Sequence, residues 1–166
     1  PPSNNEASDA DAAWARRFRS ITWTIVEPDD DPVVVALEIR PLGESGWMPL
    51  AKDLERSPWV WDSATVPDGW YELRLTASDE RGNTAEESLR SDRAGDPFLV
   101  DNTAPAIAAL AVRDGTVSGE ASDASSAIKS LAWSLDGGPW NTVRPEDGIA
   151  DERRESFTVT LGDVAG

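Results

Sequence analysis

Residues 67–105, PDGWYELRLTASDERGNTAEESLRSDRAGDPFLVDNTAP, decide how this chain folds. After the turn residues Pro67, Asp68 and Gly69, Tyr71, Leu73, Leu75 and Ala77 fall on one side and Glu72, Arg74 and Thr76 on the other. Successive side chains of an extended chain point to opposite faces, so this period of two predicts a half-buried antiparallel strand. Tyr71 is expected in a core and Trp70, its neighbour, outside it. Polar residues 79–83 predict a turn, and Phe98, Leu99 and Val100 a second apolar strand. Asp101-Asn102-Thr103-Ala104-Pro105 follows, and beyond it similar punctuation begins again. The stretch reads as the last hairpin of one β module and the joint to the next.

Working outward toward the N-terminus, Trp59 and Trp61 share one face of a short strand that leads into the Pro67 turn. The β-branched run 33–39, a turn at 42–46 and a return through Trp47, Met48 and Leu50 predict a hairpin. Ile21, Trp23 and Ile25 occupy one face of an expected strand, which places Trp23 in the first core. Two prolines and three consecutive aspartates between residues 27 and 32 end that strand. Residues 14–18 are expected to form a short first strand. Residues 1–13 are polar and small and read as a linker or disordered lead-in.

Working outward from Pro105 toward the C-terminus, residues 107–112 predict a strand and Asp114-Gly115 a hairpin turn. Further strands are expected at 116–121, at 128–135 around Trp133, and at 157–161. The two halves share their spacing. Trp140 follows Gly138 much as Trp47 follows Gly46, and the acidic residues preceding each, Asp123 and Asp29, lie at separations that agree to within one residue. This is an internal repeat in punctuation rather than in identity. About a dozen short strands and no convincing helix define an all-β chain of antiparallel sandwiches. The domain reading is 1–13 lead-in, 14–103 a first sandwich, and 104–166 a second. The second stops at the counterpart of the loop before Trp70. It is therefore expected to lack the equivalents of residues 70–78 and 98–100, and to be completed by further chain or by a dimer that exchanges strands.

Composition narrows the chemistry. Among 166 residues there is neither cysteine nor histidine, so disulfides, thiolate metal sites and Ser-His-Asp or Cys-His catalysis have no residues to use. The formal charge is −16, from 31 acidic against 15 basic residues, and a surface this negative repels nucleic acid and anionic membranes. No apolar run approaches the length of a membrane span, and the first residues lack the pattern of a signal peptide.

Residues 21–40, with Trp23 before a proline-containing loop, resemble the second and third strands of a fibronectin type III module. Val66-Pro67-Asp68-Gly69-Trp70-Tyr71 is similar to the corner of that family where a tyrosine hydroxyl returns to upstream backbone. Ser78-Asp79-Glu80-Arg81-Gly82-Asn83, the joint 100–105 and the piece 145–151 resemble tandem Ig-like or fibronectin-like repeats of exported bacterial proteins, which often follow a β-propeller. The resemblance spans residues 15–166. It implies a non-catalytic spacer or binding platform within a larger extracellular, cell-surface or periplasmic protein. Its implied partners are the other domains of that protein, and a protein or polysaccharide ligand.

Two binding readings compete with plain structure. Trp70, Trp47 and Trp140 are candidates for exposed rings that stack on sugars. Asp29-Asp30-Asp31, Asp79-Glu80, Asp101-Asn102 and Asp123 invite calcium, which takes six to eight oxygens. Turn chemistry accounts for the same acids, since Asp and Asn bond their own backbone. So many carboxylates make a chance pair unremarkable, and a small sandwich offers no deep cleft, so no enzyme is expected. No catalytic, cofactor-binding or metal residue is assigned, and no cofactor.

Overall fold

The computed structural model describes residues 17–28 and 31–161. The expectations for residues 1–13 and for Trp14, and those for Asp29 and Asp30, lie outside the described residues. The chain divides into two compact units, one ending at Asn102 and one beginning at Thr103. Among the described residues the regular structure is twelve antiparallel strands and one 3-10 turn, an all-β architecture.

The first unit is built around its longest strand. β1 (Phe18–Ile21), β2 (Val34–Pro41), β3 (Met48–Leu54) and β4 (Trp59–Asp62) precede the 3-10 turn Ser63–Thr65; β5 (Gly69–Ser78), β6 (Arg90–Ala94) and β7 (Phe98–Val100) follow. β5 pairs with β2 from Val34↔Ser78 to Pro41↔Tyr71. Its other edge is shared, with β7 on Gly69–Tyr71 and β6 on Arg74–Ser78. Gly95 bridges the gap between them, its N–H donating to the Leu73 carbonyl at 2.9 Å. β3 closes the far edge of β2, and β1 and β4 form a separate two-stranded sheet. β5 therefore lies inside the sheet, with β2 on one edge and β6 and β7 on the other.

The core follows from alternation. Val35, Leu37 and Ile39 are at most 1% exposed, and a side chain so buried contributes roughly 1.5–3 kcal/mol. Ile39, Trp61, Tyr71 and Val100 form one buried cluster, joined by Ile21, Leu50, Trp59, Val66 and Phe98. Phe98 meets Trp61 edge-on, with ring centroids 6.3 Å apart, a favoured aromatic geometry. β6 had no apolar signal in the sequence, because all five of its residues are exposed.

One register differs from expectation. The strand that residues 21–25 predict instead runs from Phe18 to Ile21. Its partner β4 supplies pairs only as far as Trp59, opposite Ile21, so the ladder has nothing to bond beyond that point. The Trp23 N–H turns to the Ser57 hydroxyl at 3.0 Å. Trp23 is half-buried rather than core, and Ile25 is 36% exposed.

The second unit contains β8 (Ala106–Arg113), β9 (Thr116–Ser122), β10 (Leu131–Trp133), β11 (Asn141–Val143) and β12 (Arg154–Thr160). β8 and β9 are joined through Asp114 and Gly115 at φ +48° and +70°, a pair of left-handed residues that matches the twist of a tight hairpin. The sheet order is β12-β9-β8, and β10 pairs with β11 apart from it. Val143, Phe157 and Val159 form the core, with Leu131, Trp133 and Leu161 around them. Gly119 makes that packing fit: a Cβ there would lie 2.9 Å from Phe157 Cζ and 3.0 Å from Leu110 Cδ2. The strand expected at 128–135 shortens to three residues. The Ile128 N–H donates to the Glu152 carbonyl instead of to a ladder, and Trp133 is half-buried.

The two units share one feature of strand pairing. In each, an outer antiparallel ladder (β1–β4, β9–β12) encloses in sequence an inner hairpin (β2–β3, β10–β11).

Candidate functional site

The corner before β5 is the most densely bonded part of the first unit. Tyr71 is 4% exposed and its hydroxyl donates to the Pro67 carbonyl at 2.9 Å. Burial raises its pKa, and the nearby Asp68 carboxylate raises it further. Trp70, next along the strand, is 50% exposed on the opposite face, as the alternation requires. Asn102, at the joint, ties back into this corner. Its backbone N–H donates to Asp68 Oδ1 at 2.7 Å, and its side-chain amide donates to the carbonyls of Ser63 and Val66, both at 3.2 Å. The fully buried Ser63 hydroxyl donates to Asn102 Oδ1 at 3.0 Å.

The tryptophans separate into distinct kinds. Trp47 is held by two guanidiniums, with Arg40 Cζ 4.3 Å and Arg74 Cζ 4.6 Å from its ring centroid. Those arginines face carboxylates on the neighbouring strand, Arg40 Nε to Glu72 Oε2 at 2.7 Å and Arg74 Nη2 to Glu38 Oε2 at 2.6 Å. Cross-strand partners lie on one face, so four charges and one ring form a continuous outer ladder. Trp47 is thus engaged by the protein itself. Trp140, 60% exposed, lies beside the Asp136–Gly138 turn and outside β11.

Trp23 has a role that sequence did not reveal. With Ile25, Val33, Val35 and Leu54 it walls an open groove of about 340 Å³, and Glu27, Glu55 and Ser57 add polar groups. The apolar alternation of residues 21–25 persists past the end of the ladder, so its side chains line a recess instead of a core. Glu55 is already paired with Arg81, which also reaches Asp53 at 3.1 Å.

The acidic loops bond mainly to their own chain. Asp79 is 4% exposed and its Oδ1 accepts from the Leu89 N–H at 2.6 Å. Asp123 Oδ1 accepts from the N–H groups of Ser125 and Ser126 at 2.8 and 2.9 Å. Asp31 Oδ2 accepts from the Asn83 amide at 3.1 Å. Glu155, 3% exposed, accepts from the N–H groups of Asp151 and Glu152 at 2.9 and 2.8 Å. One oxygen of Asp101 is buried without a hydrogen-bond partner. Among the described residues no three acids gather into a group that could hold a metal ion. The described residues also include no helix long and apolar enough to cross a membrane.

Compared with protein-family models and with curated proteins, nothing matches this chain.

Proposed function

We propose that this chain is a non-catalytic structural and interaction module, two tandem Ig-like sandwiches of the fibronectin type III kind. Its setting is a larger exported or cell-surface bacterial protein, whose other domains it spaces or presents. The observation that carries this reading is how the polar groups are used. Tyr71, Asn102, Asp79, Asp123 and Glu155 all bond to backbone or to neighbouring side chains of the protein itself. Such groups set loop geometry, each carboxylate accepting from backbone N–H groups of its own loop. The hydroxyl bond from Tyr71 to Pro67 supports the family likeness, since a tyrosine at this corner characterises such sandwiches.

Two measurements test the reading. Melting in excess Ca²⁺ and in chelator should give the same Tm, whereas a higher Tm in Ca²⁺ would establish a calcium-rigidified repeat instead. A second reading, carbohydrate binding, draws on Trp70 and Trp140, which are 50% and 60% exposed. Retention on a glycan array that is lost in Trp70→Ala or Trp140→Ala would favour it over a spacer.

A further inference from the structure

A recess opens in the first unit where its smaller ladder stops. β1 and β4 pair from Phe18↔Asp62 to Ile21↔Trp59 and no further. Beyond that point residues 22–27 carry on outside any strand, and the Trp23 N–H donates to the Ser57 hydroxyl at 3.0 Å instead of to a ladder. Between this segment and the Val35↔Leu54 end of the β2–β3 pairing lies the groove of about 340 Å³. That volume falls within the roughly 300–1,000 Å³ typical of sites for small molecules.

The groove is made by the strands of this unit. Arg17, whose guanidinium pairs with Asp62, and Asn102, bonded to Ser63, sit at the corner end of the sheet, where Pro41 pairs with Tyr71. The groove sits at the other end of β2, beside the Val34↔Ser78 pair. The eight extended residues of β2, roughly 25 Å, separate the two ends. It is therefore remote from both Arg17 and the joint at Asn102. Its cause is the early end of the β1–β4 ladder.

The lining joins two kinds of surface. Trp23, Ile25, Val33 and Leu54 give apolar walls, and among the described residues that line the groove Glu27 and Glu55 are the charged ones. Lys52 and Arg56 are near in sequence but do not line it. Arg81 pairs with Glu55 but reaches Asp53 as well, so one guanidinium serves two carboxylates and that cluster stays negative. An aliphatic stem laid on Ile25, Val33 and Leu54 leaves water. A cationic head at its end meets the carboxylates and the Trp23 indole, whose ring attracts ammonium groups. A neutral head forgoes that attraction, and an anionic one is repelled. The β3 side of the rim, Lys52, Asp53, Glu55, Arg56 and Ser57, is wholly polar. That suits a ligand held inside the recess rather than a broad interface with an apolar centre.

We propose that this groove binds a small aliphatic amine, its stem on the apolar walls and its ammonium at Glu27 and Glu55 beside the Trp23 ring. The site follows from the geometry of the first unit and does not depend on the family reading above. The probes are hexylamine, hexan-1-ol and hexanoate, one stem with three heads. Each is titrated into the full chain at neutral pH, where the amine is charged, and followed by NMR at the Trp23 indole and the Ile25 and Leu54 methyl groups. Hexylamine should saturate and bind about ten-fold or more tightly than hexan-1-ol, and hexanoate should not saturate. Glu27→Gln combined with Glu55→Gln should weaken hexylamine by about ten-fold and leave hexan-1-ol unchanged. Ile25→Lys, at a position 36% exposed, should abolish saturation by placing the chain's own ammonium in the recess. The comparison of the three heads on the parent chain decides the matter even where a variant fails to fold. No saturation by hexylamine, shifts confined to other residues, equal binding of the alcohol, or unchanged affinity in a folded glutamine variant would each overturn the site. An acetylated Gly-Lys-Gly amide that binds more tightly than hexylamine would assign the recess to a lysine of a protein partner and overturn it too.

Discussion

The Tyr71 hydroxyl donates to the Pro67 carbonyl at 2.9 Å, four residues back along the same chain, and so staples the corner to the strand it introduces. Removing that oxygen in Tyr71→Phe should cost about 1 kcal/mol, since the ring still packs and one buried hydrogen bond is lost. Tyr71→Ala should cost roughly 3–5 kcal/mol through the cavity it opens beside Ile39 and Trp61. Urea unfolding of the two variants against the parent measures both.

Tyr71 is the single tyrosine in the sequence, so its ionisation can be followed by ultraviolet absorbance without interference from another phenol. Burial first, and then Asp68, hold its pKa above the ordinary value of 10.0. The native state therefore keeps its proton at pH values where the unfolded chain has released it. The associated stability is present below the unfolded pKa and is lost as pH rises through the native one. The native midpoint should lie above 10.0, and unfolding in base should sharpen the phenolate signal. A native midpoint at or below that value contradicts the buried corner.

Asp62 has the opposite sign. The hydrogen bond from Arg17, with Arg17 Nη2 2.7 Å from Asp62 Oδ2, lowers its pKa first, and the Ala64 N–H lowers it further. Stability from this pair is present above the unfolded pKa and lost as pH falls through the native one. A carboxyl NMR titration should place Asp62 below 3.8, and Arg17→Gln should move it back toward that value.

Asn102→Ala should cost roughly 1–3 kcal/mol. It removes the acceptor of the fully buried Ser63 hydroxyl and the donor to two carbonyls, leaving buried polar groups unpaired. Urea unfolding followed at residues of the first unit measures it. Asn102→Asp keeps the shape but not the amide donor, and should recover little of the loss.

Trp47→Leu separates packing from cation–π attraction. The ring sits within 4.6 Å of both guanidinium carbons, and its replacement should destabilise by about 0.5–2 kcal/mol. If the variant is as stable as the parent, the ladder of Arg40, Arg74 and Trp47 is ornament on an already stable sheet.

Much of this architecture is legible from periodicity alone. The alternation through Tyr71, Leu73 and Leu75 predicts β5, its buried face and the exposure of Trp70. What periodicity cannot convey is where a partner strand stops. Ile21, Trp23 and Ile25 look equivalent in sequence, yet β4 supplies pairing only to Ile21, and the later two become groove wall. β6 escaped notice for a different reason, since Arg90, Ser91, Asp92, Arg93 and Ala94 form a strand through backbone bonds to β5 with no apolar face. The acids of the loops were visible but not their use. An aspartate that caps N–H groups and one that would hold a cation are the same letter, and only the bond from Leu89 to Asp79 distinguishes them.

Asn102 is also where the first unit hands the chain to the second, which gives its bonds a mechanical meaning. Tension arriving from the C-terminal side enters the first unit at this residue before it reaches any strand. It meets four hydrogen bonds, to Asp68, Val66 and twice to Ser63, and behind them the three residue pairs of β7 with β5. Resistance to pulling is set by the barrier to release rather than by equilibrium stability. Those four bonds hold Asn102 to the corner and not to the β2–β5 ladder, so releasing them frees the joint without breaking a pair of that ladder.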